Sequence, residues 1–436
     1  MFLNRVLVLT NMNLSLREIK MRKIILLSFI LISQIVVAED TLVSLDQVAQ
    51  KVKKTNFSVL ENAQRVYQAK ETINFSKRNL LPRLNFWNIL KLPFDWTSAI
   101  DIVQDLAPFL VPNNWFRVSE SKLFYLAQKE QYRALWANEV MTSKLLYLNT
   151  LRDIDFLGLL NNQSQQLEEL INIVETRAIF GEVPPQVLKF LKIRKLEVQE
   201  DIRSLETLVF EETKALAYLM GLPQETKLRL QSIKLPNVEE LSAISFDTFI
   251  FRAIDNAPEI NQYKYVKEAL KYVRKEAYFS FLGSSTTSRG ISGGVFNNIP
   301  IQDGLGFGLG SSIRISKSEG KIIDINKQAT IEVIKKSLYI LVNNFNSYIE
   351  NIGNQNKRFE LAEENYEVVK TQLILGMSLD PIEILESIQN LFDASISLTN
   401  YKYEVVNTVE KIKRSIFNED YSKKEGMLET ILKGEN

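Results

Sequence analysis

Apolar side chains recur at every third or fourth position along most of this chain, which is the spacing of one face of an α-helix. In residues 42–80 these positions are Leu42, Leu45, Val48, Val52, Val59, Leu60, Ala63, Val66 and Tyr67. Residues 118–180 contain one glycine, Gly158, and no proline, so they predict a helix about 90 Å long. Because a globular domain has no room for such a helix, the pattern predicts a coiled coil or a tube.

The order of predicted elements occurs twice. The second half predicts a helix over 246–280, a Gly/Ser-rich strand-like segment over 284–316, a long helix over 321–375 and a last helix over 382–417. The long helices of the two halves break at Gly181 and Gly376, and in each case an apolar pair precedes the glycine and a proline follows it. This repetition predicts a mainly α protein with two tandem repeats of long antiparallel coiled-coil helices and a small β-strand portion.

The N-terminus has the pattern of a secretory signal peptide. Arg22 and Lys23 precede an apolar stretch, and Ala38 ends a small-residue cleavage site, while an uncleaved anchor is the alternative. Met21 is the expected start of this signal, which indicates export to a bacterial cell envelope. The expected segments are 1–38 (upstream extension and signal peptide), 42–221 (first repeat), 222–245 (linker), 246–418 (second repeat) and 419–436 (tail).

Composition excludes several kinds of site. The chain has no cysteine and no histidine, which excludes disulfides, Cys-based zinc sites and the Ser-His-Asp and Cys-His triads. With 53 Lys+Arg against 52 Asp+Glu, it has no overall charge that would attract nucleic acid. We therefore expect no catalytic, cofactor-binding or metal site, no nucleic-acid partner and no enzyme activity.

The strongest strand pattern lies in residues 304–315, where apolar side chains alternate with small or polar ones. The apolar positions are Leu305, Phe307, Leu309, Ile313 and Ile315. Twelve residues are enough for a tilted membrane strand of about 9–11 residues. A soluble hairpin resting on helices has the same alternation and is the alternative.

The corresponding part of the first half, residues 83–116, is rich in aromatic residues and is interrupted by three prolines. Within it, Ser98–Leu106 predicts a short amphipathic helix rather than a strand. The segment is interpreted either as an aromatic element at a lipid interface or as aromatic packing around an irregular connection. Whether the first repeat contributes strands, and whether the protein forms a true pore, is therefore left open by the sequence.

Four short motifs resemble those of the TolC family of outer-membrane efflux proteins over residues 42–418. They are Ser44–Val48 (SLDQV), Leu80–Leu84 (LLPRL), Gly221–Pro223 (GLP) and Asn256–Ile260 (NAPEI). The resemblance implies a homotrimer that forms an α-helical barrel and a β-barrel in the outer membrane. It further implies a periplasmic adaptor and an inner-membrane pump as partners. The implied function is a passive conduit of an efflux or type I secretion system. The alternative is a periplasmic structural or adaptor-like protein without a pore.

The second helix break carries the candidate gate. Glu383 and Glu386 match a pair of acidic residues in the family, and their spacing places both carboxylates on one helix face. In a trimer they would form acidic rings that select cations or shape gating, whereas the alternative is a solvated helix face. Gly181 and Gly376 are expected at the periplasmic tip where an adaptor would dock, and ordinary helix capping explains them equally well.

Overall fold

The computed structural model describes residues 41–82, 107–180, 184–235, 241–279, 299, 308–377 and 381–422, and most of these residues are helical. The elements are β1 Thr41–Val43, α1 Leu45–Thr55, α2 Phe57–Arg78, α3 Pro112–Ile179, α4 Pro185–Leu219, β2 Leu228–Leu230, α5 Asp247–Asn256, α6 Pro258–Tyr278, α7 Leu309–Leu375, α8 Pro381–Ser415 and α9 Glu419–Ser422. A 3-10 turn, Pro108–Leu110, precedes α3. The predicted mainly α class with long helices is confirmed. In the described part of the chain, no helix is both long and apolar enough to cross a membrane.

The same order of four helices occurs twice, as α1–α2–α3–α4 and as α5–α6–α7–α8. The long helices α3 and α7 contain 68 and 67 residues, and α4 and α8 contain 35 each. The shorter pairs agree in the same way, since α1 and α5 have 11 and 10 residues while α2 and α6 have 22 and 21. Two copies of one helical unit therefore build the chain.

The long helices form an open layer in the order α4, α3, α8, α7, in which α3 and α8 lie in the middle. Helices α4 and α8 accompany the halves of α3 and α7 that lead to the two hairpin turns. This end, formed by Ile179, Pro185, Leu375 and Pro381, is called the tip. At the other end α2 and α6 stop and α3 and α7 start, and this end is called the rim.

Between these two ends, a core holds the short helices against the long ones, and this middle region is called the waist. Its buried side chains include Val48, Val52, Tyr147, Met220 and Tyr421. A second core fills the space between the four long helices toward the tip. It includes Leu167, Val174, Leu191, Tyr366 and Ile388.

The predicted helix over 42–80 is wrong in one respect, because the chain breaks at Asn56 without glycine or proline. The side-chain oxygen of Asn56 accepts a hydrogen bond from the Val59 backbone N–H at 3.1 Å and so caps α2. Its amide nitrogen donates to the Leu219 carbonyl at 3.0 Å. The break is thus fixed by a polar side chain that also ties α2 to the end of α4.

Part of the segment predicted as a linker, 222–245, forms a strand. β2 pairs in parallel with β1, with Thr41 opposite Leu228 and Val43 opposite Leu230. The Tyr147 hydroxyl lies 3.0 Å from the Val43 carbonyl oxygen and 2.6 Å from that of Gln231. Burial raises the pKa of Tyr147 to about 12, so the phenol stays a neutral donor. A buried side chain of α3 therefore anchors this strand pair at the waist.

The predicted frayed tail is also wrong for its first residues, because Glu419–Ser422 is the short helix α9. Tyr421 is fully buried in the waist core, and its hydroxyl donates to Glu410 Oε2 at 2.9 Å. The apolar ring and this hydrogen bond hold α9 in place. Residues 423–436 lie outside the described part.

The predicted membrane strand is wrong at Leu309, Ile313 and Ile315, which all belong to helix α7. The side chains that pack are the small ones between them, because Ser312 and Ser316 are buried four positions apart. Arg274 of α6 lies 3.3 Å from Ser316 Oγ. The alternation of apolar residues led to the wrong prediction of a strand, because the small residues of this segment, rather than its apolar ones, are packed inward in the helix.

Several predictions fall outside the described residues and stay predictions. They are Leu305 and Phe307 of the strand, the signal peptide within 1–38 and the short helix Ser98–Leu106. Of the aromatic-rich segment 83–116, only residues 107–116 are described. These form the 3-10 turn and the first residues of α3.

Candidate functional site at the tips of the helical hairpins

The end of α3 lies beside the end of α7 at the tip. The guanidinium of Arg177, in the last turn of α3, donates a hydrogen bond to the Ile374 carbonyl near the end of α7. Residues almost two hundred positions apart are therefore in direct contact. The repeat therefore brings the ends of α3 and α7 to the same end of the layer.

Gly376 follows α7 in a left-handed conformation, with φ of 83°. The Met377 N–H donates to the Gln372 carbonyl at 3.1 Å, which closes the helix end in the manner of a Schellman motif. A Cβ at Gly376 would also overlap the Arg177 guanidinium. Glycine at this position thus satisfies both the backbone conformation and the contact between the hairpins.

Gly181 lies outside the described residues, and α3 ends before it. The last residue of α3 is Ile179, and Phe180 caps the helix with φ of −87°. Counted from the helix ends, Phe180 is the position that corresponds to Gly376. The two turns therefore share their place in the repeat but not their capping residue.

Glu383 and Glu386 lie on one face of the first two turns of α8, and both are exposed. Between them Ile384 points into the tip core and is 1% exposed. Within the described residues, no ion pair involves either carboxylate. Their position near the N-terminus of α8 is favourable because the helix dipole stabilises negative charge there. The tip thus presents two adjacent carboxylates to solvent.

Charged side chains join the hairpins just behind the turns. Lys370 of α7 pairs with Glu169 of α3 at 3.0 Å, and this hydrogen bond raises the pKa of Lys370. Arg194 of α4 donates to the Gln389 side chain of α8. Sequence reasoning missed these residues and Arg177, because each partner lies on the other repeat and no local spacing signals the contact.

The outer surface of the tip is apolar. Ile179 is 81% exposed, and Phe180, Leu375 and Met377 are also exposed. Large apolar side chains rarely gather on a free surface, so such a patch is typical of a contact site. The tip therefore combines an apolar end surface with the carboxylates of α8 beside it.

Three solved structures share this architecture. The Campylobacter jejuni CmeC outer membrane channel has 16% identity, and the likeness covers 85% of both chains with a TM-score of 0.66. The outer membrane protein VceC of Vibrio cholerae has 11% identity over 85% of this chain and 95% of its own, with a TM-score of 0.67. The outer-membrane channel OprN has 11% identity over 86% and 90%, with a TM-score of 0.69.

The chain has the fold of an outer-membrane channel. This confirms, at the level of the fold, the resemblance carried by the four sequence motifs. No protein-family model matches the sequence, and no curated protein matches it.

In the described part of the chain, no group of three or more acidic side chains is placed to hold a metal ion. The three similar structures are described as channels or as a membrane protein, and none as an enzyme. What the tip presents is charge and an apolar contact surface.

Proposed function

We propose that this protein is the outer-membrane channel component of a multi-protein efflux or type I secretion system. It would act as a passive, non-enzymic conduit for substrates that cross the periplasm and the outer membrane. The fold shared with CmeC, VceC and OprN over about 85% of the chain supports this role. The helical layer would then lie in the periplasm, with the rim toward the outer membrane.

The observation that carries the proposal is the pair of apolar edges on the layer of long helices. Among the long helices, α4 packs chiefly on α3 and α7 chiefly on α8, so each of the two has one main long-helix neighbour in the described part of the chain. The exposed apolar residues of α4 include Phe190, Leu196 and Phe210, and those of α7 include Ile325, Val333 and Leu361. Exposed apolar surface of this extent favours association.

A second copy that placed its α7 edge against this α4 edge would cover both surfaces. Such a head-to-tail contact repeats around a ring until the rotation closes it. The proposed ring is a homotrimer, in agreement with the family resemblance, and it would enclose a helical conduit. The apolar tip, with Gly376 and Gly181 at its turns, would be the docking surface of a periplasmic adaptor linked to an inner-membrane pump.

In this ring the exposed carboxylates of Glu383 and Glu386 would form two stacked acidic rings at the periplasmic entrance. Rings of carboxylates favour cations over anions, because the local potential is negative. Both side chains are exposed and lack an ion pair in the described structure, which leaves their charge available. The proposed gate role rests on this exposure and on the helix face that the two residues share.

Planar-bilayer recordings of the full chain, purified in detergent as an oligomer of measured mass, test the channel. We expect conductance with a preference for cations that decreases in Glu383→Gln/Glu386→Gln. The matched control is Glu360→Gln/Glu363→Gln, an exposed pair at the same spacing on α7. Unchanged ion selectivity in the first variant would remove the gate proposal, and a monomer without conductance would remove the channel proposal.

A periplasmic structural or adaptor-like protein without a pore is the second candidate. The position of α7 favours this candidate. The helix begins at Leu309, so Leu309, Ile313 and Ile315, which are three of the five apolar residues of the predicted membrane strand, are helical. This candidate predicts a stable monomer that remains in solution without detergent. The same mass measurement therefore separates the two functions.

A further inference from the structure

The rim is a firmly held end of the helical layer. Arg117 of α3 and Glu276 of α6 form an ion pair at 2.8 Å, and the carboxylate side chain is only 3% exposed. Ser76 of α2 and Ser121 of α3 share a hydrogen bond of 2.8 Å. The starts and ends of α2, α3 and α6 are thus fixed relative to one another, and the exposed groups around them form a defined surface.

This surface carries large apolar and aromatic side chains. Leu110 is 67% exposed and Trp115 is 54% exposed, and Phe109 and Tyr278 are also exposed. The Trp115 indole donates to the Phe109 carbonyl at 2.8 Å, which fixes the ring against the turn before α3. Trp and Tyr in such positions are typical of a membrane–water interface, where the ring is apolar and its polar group stays hydrated.

The exposed charge beside these aromatics is positive. Lys77 and Arg78 lie in the last turn of α2, and Lys275 lies in the last turn of α6. All three are exposed, whereas the neighbouring acid Glu276 is buried and neutralised by Arg117. The rim therefore offers cations for a phosphate together with apolar side chains that favour an acyl layer.

We propose that the rim is a phospholipid-binding collar. Lys77, Arg78 and Lys275 bind headgroup phosphates, while Phe109, Leu110 and Trp115 enter the boundary between headgroups and acyl chains. Lys275 lies 5.1 Å from the centre of the Tyr272 ring, and none of the three cations makes an ion pair within the described residues. A lipid surface fits better than a protein partner, because exposed aromatics beside such cations match an anionic, amphiphilic layer. The inference rests on the proposed location at the outer membrane, but it does not require a conducting pore.

Quenching by brominated lipid tests the collar in the full chain reconstituted into vesicles of phosphatidylethanolamine and phosphatidylglycerol. Trp87→Phe and Trp96→Phe leave Trp115 and the buried Trp136 as emitters. Lipid brominated close to the headgroup should quench this protein strongly, whereas lipid brominated near the chain end should quench it less. With Trp115→Phe added, only Trp136 remains, and the quenching should disappear.

Conductance recorded on the same preparations separates this proposal from the channel. Conductance without quenching of Trp115 would overturn the collar and leave the channel proposal standing. Quenching without conductance would support the collar and count against the channel. Trp115 that is reached by aqueous iodide but not by brominated lipid would also overturn the collar.

Charge reversal tests the role of the cations. The readout is quenching of Trp115 by brominated phosphatidylglycerol relative to brominated phosphatidylcholine. One cation near an anionic surface raises the binding constant about fivefold. The variant Lys77→Glu/Arg78→Glu should therefore lower the preference for phosphatidylglycerol at least about fivefold. Lys51→Glu/Lys54→Glu, an exposed pair at the waist, is the matched control and should leave the preference unchanged. If the preference for phosphatidylglycerol is the same in the rim variant and in the waist control, headgroup phosphates do not bind at the rim.

Discussion

The two repeats end at the waist with the same backbone geometry. After α4 the chain turns through Gly221, with φ of 63°, and after α8 it turns through Phe417, with φ of 47°. In each case the next N–H closes the helix, with Leu222 donating to Ala217 at 2.9 Å and Asn418 donating to Lys413 at 3.0 Å. A left-handed residue at this position is ordinary for glycine but unfavourable for phenylalanine.

The side chains that surround these two turns differ. In the first repeat a Cβ at Gly221 would overlap the backbone carbonyl of Thr55, so the close approach of α1 requires glycine. In the second repeat the Phe417 ring is 2% exposed, and the guanidinium of Arg414 lies 4.8 Å from its centre. The comparison shows that one backbone turn can be stabilised either by close backbone packing or by burial of a ring that offsets its strain.

The second repeat also adds a buried ionic cluster that joins it to the first. Glu410 of α8 pairs with Lys144 of α3 at 2.9 Å and with Lys413 at 2.8 Å, and it accepts the Tyr421 hydroxyl. Burial by itself raises the pKa of Glu410, but the two lysines outweigh it and hold the pKa below 4.5. The cohesion of the two halves at the waist therefore depends on charges as well as on apolar packing.

Lys144→Met should have the largest effect on stability. It leaves Glu410 buried without its main partner, and breaking a buried ion pair from one side costs about 3 kcal/mol or more. Thermal unfolding followed by circular dichroism measures the loss. The double variant Lys144→Met/Glu410→Leu should recover most of it, because no unpaired charge is then buried. A double variant as unstable as the single one would contradict this account.

The pH dependence of the same variants gives an independent check. Because the pKa of Glu410 is lowered by folding, its contribution is present above pH 4.5 and is lost as the pH falls through the folded value. The melting temperature of the wild type should therefore approach that of Lys144→Met as the pH drops below about 4.5. A difference that stays constant from neutral to acidic pH would show that the ion pair is not responsible.

Gly221→Ala should be the next most destabilising change, by about 2–3 kcal/mol, since it adds both left-handed strain and overlap with a fixed backbone carbonyl. The matched control is Gly376→Ala, which has the same strain but meets only the end of the flexible Arg177 side chain. It should cost about 1 kcal/mol. Equal losses of melting temperature would indicate that the contact with Thr55 is not rigid.

Much of this fold follows from local sequence signals. The long uninterrupted course of α3 and the end of α7 at Leu375 were predictable because glycine and proline interrupt an otherwise uniform helical pattern. The break at Asn56 was not, because its amide is anchored by the Leu219 carbonyl, far away along the chain. The helical start of α7 was also missed, because the buried contact is made by small residues such as Ser312.

At the candidate site, likewise, only the features that depend on local spacing could be predicted. The shared face of Glu383 and Glu386 follows from helical spacing, and their exposure in the structure agrees with it. The contact of Arg177 with Ile374 and the pairing of Lys370 with Glu169 join different repeats. Such contacts depend on how the two hairpins dock, which no local pattern encodes.

Phe417→Gly tests whether ring burial outweighs backbone strain at the second turn. The change relieves about 1–2 kcal/mol of left-handed strain but removes a buried aromatic ring, whose loss costs about 3–5 kcal/mol. A net loss of about 2 kcal/mol is therefore expected in thermal unfolding. A stabilised variant would mean that the ring contributes little and that the two turns are more alike than their side chains indicate.

Gly158→Ala and Gly353→Ala should have the smallest effects, and both should be stabilising. Each glycine lies inside a long helix, one in α3 and one in α7, and a Cβ at either position would meet no atom within 4 Å. Alanine in a helix interior is favoured over glycine by about 0.5–1 kcal/mol, so the two variants should raise the melting temperature by similar amounts. Similar gains would show that the long helices are equivalent although the turns at the waist are not. A loss in only one of them would reveal a contact that this helix makes with another copy of the chain, and the oligomer mass of that variant would then also change.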